Sequence, residues 1–289
     1  MQLYTPYPSV FGDLVIPDTI DTEPSAGIQQ LVGRAAGSRH VLARGIAVRE
    51  PRIGITCLDL RHLGASGLSI VDGLTLTNPS KIQFQKRAFG GTFDTAGHVT
   101  LVATRGKLIP EGIAATQDAT EPAQLTLTFH PLFDGTNDPL QVVTQALQGI
   151  PDVPAMYRLG PVLVNGTTLP GVQSVRVQFG ISFQPVRSDG EIVARNGRLG
   201  DLDPSVAIEV KNLAILDELL GMGAVQATVT AFFQKVGADY AAAVHTAIGC
   251  GGTLEVGTIS ARRGDDVQPG LIARPIGPLT INTATAITV

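Results

Sequence analysis

Charge is scarce in this chain. Asp, Glu, Lys and Arg make up 16% of its 289 residues, against about 25% in an ordinary globular domain. A surface short of charge either meets water through Ser, Thr, Gln and Gly or is covered by other copies. The formal net charge is −4 with both signs interspersed, which excludes a basic stripe for nucleic acid. Tryptophan is absent and aromatics reach 5%, too few to stack on sugars as a carbohydrate-binding module would. Cysteine occurs only at Cys57 and Cys250, in no metal-ligand spacing; two buried thiols fit better than a disulfide. The histidines, His40, His62, His98, His130 and His245, share no HxH or HxxxH spacing, which argues against zinc. No run of about 18 apolar residues offers a membrane span, and no basic, apolar leader opens the chain.

Glycine and proline are abundant, at 33 and 19 residues, as expected for many short strands joined by turns. Period-two alternation predicts strands at Arg52–Asp59, Lys81–Gln85, Val99–Thr104, Gln124–Phe129, Val172–Phe183, Val206–Val210, Ala224–Phe233 and Thr253–Ala261. Helical spacing predicts short helices over 25–36, 138–147, 212–220 and 237–248. The expected fold class is therefore mainly β: β-sandwich or partial-barrel domains with short flanking helices.

Gln148 to Pro154 combine a helix stop with two prolines, which divides the chain into 1–150 and 151–289. Asn78-Pro79-Ser80 before one strand is echoed by Asp203-Pro204-Ser205 before another, and Arg105-Gly106 by Arg263-Gly264. These echoes point to two domains in tandem, the second carrying an insertion that holds two helices.

Candidate chemistry is thin. Gly64-Ala65-Ser66-Gly67 is no nucleophile elbow, and Gly249-Cys250-Gly251-Gly252 precedes a strand, the wrong order for a phosphate cradle. Asp201-Leu202-Asp203 lacks the dense ligand pattern of a calcium loop. Asn165-Gly166-Thr167 reads as a hairpin turn. No catalytic residue, metal or cofactor is expected, and an enzyme is not. The feature that stands out is the polar segment Gln184–Pro204, far longer than an ordinary hairpin loop. Its Arg187, Asp189, Glu191, Arg195, Arg198, Asp201 and Asp203 are candidate assembly contacts, as are Val177 and Phe179 in the strand before it.

The strand VQSVRVQFGISF (Val172–Phe183), the Ser188-Asp189-Gly190 turn, the long loop and Asp203–Val210, followed by Ala224–Gln234 and Leu279–Val289, resemble tail tube proteins of long-tailed bacteriophages. The resemblance covers about residues 160–289 and rests on pattern. It implies a helix-flanked β-sandwich whose copies join edge to edge into rings around a lumen, with a long loop touching the next ring. It also implies a virion protein made in the host cytoplasm, with other tail proteins as partners and DNA passing unbound. If the first half is a second tube domain, trimeric rings would imitate a hexamer. If it is not, a decorated hexameric ring or a baseplate component is implied, with a receptor-binding β-sandwich module of the particle as the alternative.

Overall fold

A computed structural model describes residues 3–33, 43–65, 67–88, 91–118, 120–149, 151–211, 223–260 and 268–288. It is almost entirely antiparallel β. In the first half, β1 (Leu3–Phe11), β2 (Leu14–Ile16) and β3 (Thr19–Ser25) lead into a hairpin of β4 (Ile28–Gly33) and β5 (Ala43–Arg49). Then come β6 (Arg52–Cys57), the single helical turn α1 (His62–Ala65), β7 (Leu74–Leu76), β8 (Ser80–Arg87) and β9 (Val99–Ala103). β10 (Gly106–Thr116), β11 (Gln124–Pro131) and β12 (Gln141–Thr144) complete it. The second half runs β13 (Tyr157–Val164), β14 (Thr167–Thr168), β15 (Val172–Gln178), β16 (Ile181–Val186) and β17 (Asn196–Leu202). β18 (Ser205–Val210), β19 (Ala224–Lys235), β20 (His245–Ser260), β21 (Gln268–Pro275) and β22 (Thr280–Thr285) follow.

The second half repeats the first strand for strand. From β1 to β6 each position has its counterpart 153 residues later: Tyr4 and Tyr157, Pro8 and Pro161, Pro17 and Pro170, Pro51 and Pro204. Pairing repeats as well. Phe11 faces Leu14 as Val164 faces Thr167; the irregularity between Thr19 and Asp21 recurs at 172/174, and the one between Tyr7 and Val10 recurs one residue earlier, at 159/162. Later, the bulge between Pro110 and Gly112 in the β10–β11 ladder recurs between Val256 and Thr258 in the β20–β21 ladder, 146 residues on. Even a side-chain device is duplicated. The Lys86 amide donates to Nδ1 of buried His98 (3.2 Å), and the Lys235 amide to Nδ1 of buried His245 (3.0 Å).

The halves differ in how the sheet is divided. In the second, β20 runs unbroken for 16 residues and carries both β19 and β21, so its strands form one sheet. In the first, a bend at Thr104-Arg105 splits the equivalent strand into β9 and β10. A five-stranded sheet, β12-β9-β8-β1-β2, thereby separates from β10-β11-β6-β3. That second group pairs across the halves, β10 with β15, producing a 13-stranded sheet that ends on β3. Inward side chains such as Phe11, Ile55, Leu127, Val177, Ile208 and Leu271 fill one continuous core, the period-two pattern buried on one face.

Several expectations need correction. Residues 28–33 pair with 43–49 as a hairpin, so the i, i+3, i+4 pattern of Ile28, Leu31 and Val32 marks no helix. The β-branched run at Val142-Val143 places 141–144 on β9. Residues 237–244 are turns that close the β19–β20 hairpin, where register overrides the helix propensity of Ala241–Ala243. The expected helix at 212–220 lies outside the described residues. Val172–Phe183 is broken at Gly180, and the polar segment after it forms the β16–β17 hairpin in place of a loop. The Pro/Gly echoes also mislead: β8 and β18 occupy non-equivalent places, and Pro204 corresponds to Pro51. The Asn165-Gly166 hairpin turn is present, with positive φ at both residues (50° and 79°).

The repeat makes a paired prediction at its glycines. Gly27 and Gly180 have φ of +55° and +68°, and a Cβ there would lie 1.8 Å from Glu50 O and 2.0 Å from Asp203 O. Gly27→Ala and Gly180→Ala should each lower stability in urea by more than about 1 kcal/mol, from backbone strain plus overlap. A neutral result at either would show that the turns are not equivalent.

Candidate functional site

Two places in the fold gather chemistry. One is a buried polar cluster below β6; the other is the joint between the halves.

Among the described residues, one set of three potential metal ligands converges: Asp18, Cys57 and His62, with ligand atoms within 4.8 Å. Its bonding is already complete. Asp18 Oδ2 accepts from the Leu58 and Asp59 amides at 2.7 and 2.6 Å, and Oδ1 meets His62 Nε2 at 2.9 Å. Burial raises the Asp18 carboxyl, but the His62 bond and charge and the two amides outweigh it, and its pKa falls below the ordinary value. Asp59 is held by Arg61 and accepts from the Ala155 amide at 3.3 Å. Cys57 lies fully buried against Leu125 O. Burial, and then the Asp18 and Asp59 charges, push its thiol well up. A nucleophile needs a thiolate with access, and Cys57 has neither. The cluster ties the turn after β6 to the segment entering β13, which is a structural task. Its counterparts in the second half include Gly171 and Val210, so it is not repeated. Cys250 is a free thiol too, but half-buried where full burial was expected.

The joint is the other place. Ile113 of β10 faces Val177 of β15, and Ala115 faces Val175, all buried. Phe179, just past β15, is buried and donates its amide to Glu111 O at 2.9 Å. Val177 and Phe179 thus sit in an edge-to-edge contact made inside one chain.

The β16–β17 hairpin then reaches back as an arm onto the first half. The Arg49 amide donates to Ile192 O (2.7 Å) and the Phe133 amide to Ala194 O (2.8 Å). Phe183 packs its ring on His130 with centroids 4.7 Å apart. Arg187 pairs with Glu50 at 3.1 Å. Arg195 pairs with Glu191 at 2.5 Å and lies 5.2 Å over the Phe133 ring. Arg198 donates to Gln184 (3.1 Å), and the Asp203 amide to Gly180 O (3.1 Å). Asp189 and Asp201 are exposed. The structure therefore brings Arg187, Glu191 and Arg195 together at the seat of the arm, and leaves Asp189 and Asp201 outside it. The seat also uses Glu50, His130 and Phe133, which the sequence reading passed over. The signal for them is the 153-residue spacing, which makes 28–49 and 181–202 the same hairpin.

No family model and no curated protein matches this chain.

The seat should respond to acid. Burial, with the Arg52 charge adding to it, pulls His130 from 6.5 to about 4. A depressed folded value means that the contribution is complete above the unfolded pKa and is lost as pH falls from about 6.5 to about 4. The loss runs at no more than about 1.4 kcal/mol per pH unit. His130→Phe keeps a ring against Phe183 and should flatten that part of the stability–pH curve. An unchanged slope would remove His130 from the account.

Proposed function

We propose that this chain is a structural subunit that self-assembles through its sheet edges into the stacked rings of a phage tail tube, a conduit that DNA passes without binding. The observation that carries the reading is the joint itself: two copies of one fold already join edge to edge within the chain. Among the described residues, the same fold leaves the equivalent of each partner unpaired: β3 at one end of the sheet, and the part of β20 beyond its pairing with β19.

Three further features support it. Low charge suits a subunit whose surface is covered by copies of itself, and a slightly acidic chain does not hold DNA in a lumen. The 13-stranded sheet does not close on itself; long open edges are hazardous unless assembly uses them. Cys57, the one nucleophile in the convergent cluster, is shut away as a protonated thiol, which favours a structural protein over a hydrolase. Two repeats per chain would let a ring of three chains present six equivalent units.

Negative-stain microscopy of the purified protein tests the reading. Rings or tubes with a central channel are expected, together with a size-exclusion peak far above 30.2 kDa. A monodisperse monomer at about 100 μM would overturn it.

A further inference from the structure

The internal joint specifies its own external equivalent. Resting on the assembly reading above, we infer that β3 of one copy pairs antiparallel with the outer edge of β20 in the next. The β4–β5 hairpin of the first copy then covers Ile276 of the second.

The argument is one of equivalence. β10 corresponds to the second part of β20, and β15 corresponds to β3. In β10, Gly112–Thr116 is covered by β15. In β20, β19 pairs only as far as Glu255, and among the described residues no strand flanks the outer edge beyond it. Among the described residues β3 is the last strand of the sheet, with β6 on one side and no strand on the other.

Burial tells the same story residue by residue. Ile113 is 1% exposed, and its counterpart Ile259 is 42% exposed. Leu132, under the β16–β17 arm, is 6% exposed, and its counterpart Ile276 is 77% exposed. The backbone around those two is the same: Leu132 N–H donates to Arg105 O and Ile276 N–H to Gly251 O, both at 2.9 Å. On the other side of the joint, Val177 and Phe179 are buried, while their counterparts Pro24 and Ala26 are exposed. The unseated hairpin carries Ile28, Val32 and Ile46 exposed. Ile113, Leu132, Val177 and Phe179, apolar and hidden at the internal joint, thus correspond to Ile259, Ile276, Pro24 and Ala26, apolar and uncovered; Val175 is the exception, with half-buried Thr22 in its place. A second copy, placed head to tail, covers both at once. Such a heterologous contact repeats from copy to copy, and forms a ring where its rotation closes.

The register follows. Gly112 faces Gln178 and Ile113 faces Val177, so Thr258 faces Ser25 and Ile259 faces Pro24. The amide bonds Phe179 to Glu111 and Gln117 to Gln173 fix 113/177 as a hydrogen-bonded pair and 112/178 as a non-hydrogen-bonded one. The outward direction of β3 agrees: the Thr22 amide, pointing away from β6, bonds the Asp21 side chain at 2.7 Å. Pro24 cannot donate, so the external joint has one ladder bond fewer than the internal one. That deficit, with the acidic Asp21 and Glu23, also discourages pairing with unrelated edges.

The test uses full chains in a Cys250→Ser background, where Cys57 stays buried. Ser25→Cys and Thr258→Cys are placed on separate chains, co-expressed and oxidised after assembly. A non-hydrogen-bonded pair, with Cα atoms about 4.5 Å apart, accepts a disulfide. A covalent dimer is expected at about ten-fold or greater yield over the Asp21→Cys with Thr258→Cys control, which is displaced by about 13 Å along the strand. Ile259→Asp and Ile276→Asp should stay folded by circular dichroism and lose assembly at least ten-fold. Assemblies that form without the 25–258 cross-link, or with Ile259→Asp at the wild-type yield, would overturn this joint while leaving self-assembly standing. A chain that assembles under no condition would overturn both.

Discussion

The backbone ladder between β10 and β15 is the contact on which the rest of the structure depends. Without it the halves would be two separate β-units, each with exposed edges and half-covered apolar residues. With it, Ile113, Val175, Val177 and Phe179 become core. A main-chain ladder also fixes register strictly, because a one-residue slip would turn each of these side chains to the wrong face. The β16–β17 arm can then land on Glu50, His130 and Phe133, since its base follows directly from β15. One ladder therefore sets both the sheet continuity and the arm seat.

Energetically the joint is layered. The buried aliphatic residues contribute most, at about 25 cal/mol per Å² of apolar surface removed from water. The exposed ion pair of Arg195 with Glu191 adds little by itself, in the range of about 0–1 kcal/mol. The ring contact of Phe183 with His130 and the cation over Phe133 add direction. Polar groups elsewhere hold the linker. Gln83, fully buried, donates to Pro8 O and Gln148 O at 2.7 and 2.5 Å and accepts from the Gln148 amide at 2.5 Å. The chain between the halves is thereby tied to the first.

Much of the strand content is legible in the residues. Alternation at Arg52–Cys57, Gln124–Phe129, Val206–Val210 and Ala224–Phe233 states which face is buried, and the ladders follow it. The hairpin arms are not legible in this way, because their outward faces are apolar too: Ile28, Val32 and Ile46 are exposed within one chain. That breaks the alternation and imitates a helical stripe. The repeat is hidden for a different reason. Its two copies share turn geometry and burial but few identities: across 3–57 only Tyr4, Pro8, Pro17, Gly27, Ile28, Arg34, Gly37, Pro51 and Ile55 are matched 153 residues later. Local matches of Pro and Ser, such as 79–80 with 204–205, compete with the true spacing. The sequence reading makes Val177 and Phe179 candidate assembly contacts, whereas the strand that covers them lies in the same chain, a pairing that depends on contacts far apart in sequence. Ile259 and Ile276 stand out only when compared with the buried residues they replace.

Hydrogen exchange on dissociated and assembled protein tests the central claim most directly, because backbone pairing is what it reads. Amides of 113–117 and 173–179 should be protected in both states, since their ladder is internal. β3 and the end of β20 are already laddered on their inner sides, so the outward amides carry the test: those of Ala26 and Ile259 should exchange freely in the dissociated chain and become protected at least ten-fold on assembly. Protection of Ala26 and Ile259 that does not change on assembly would contradict the account.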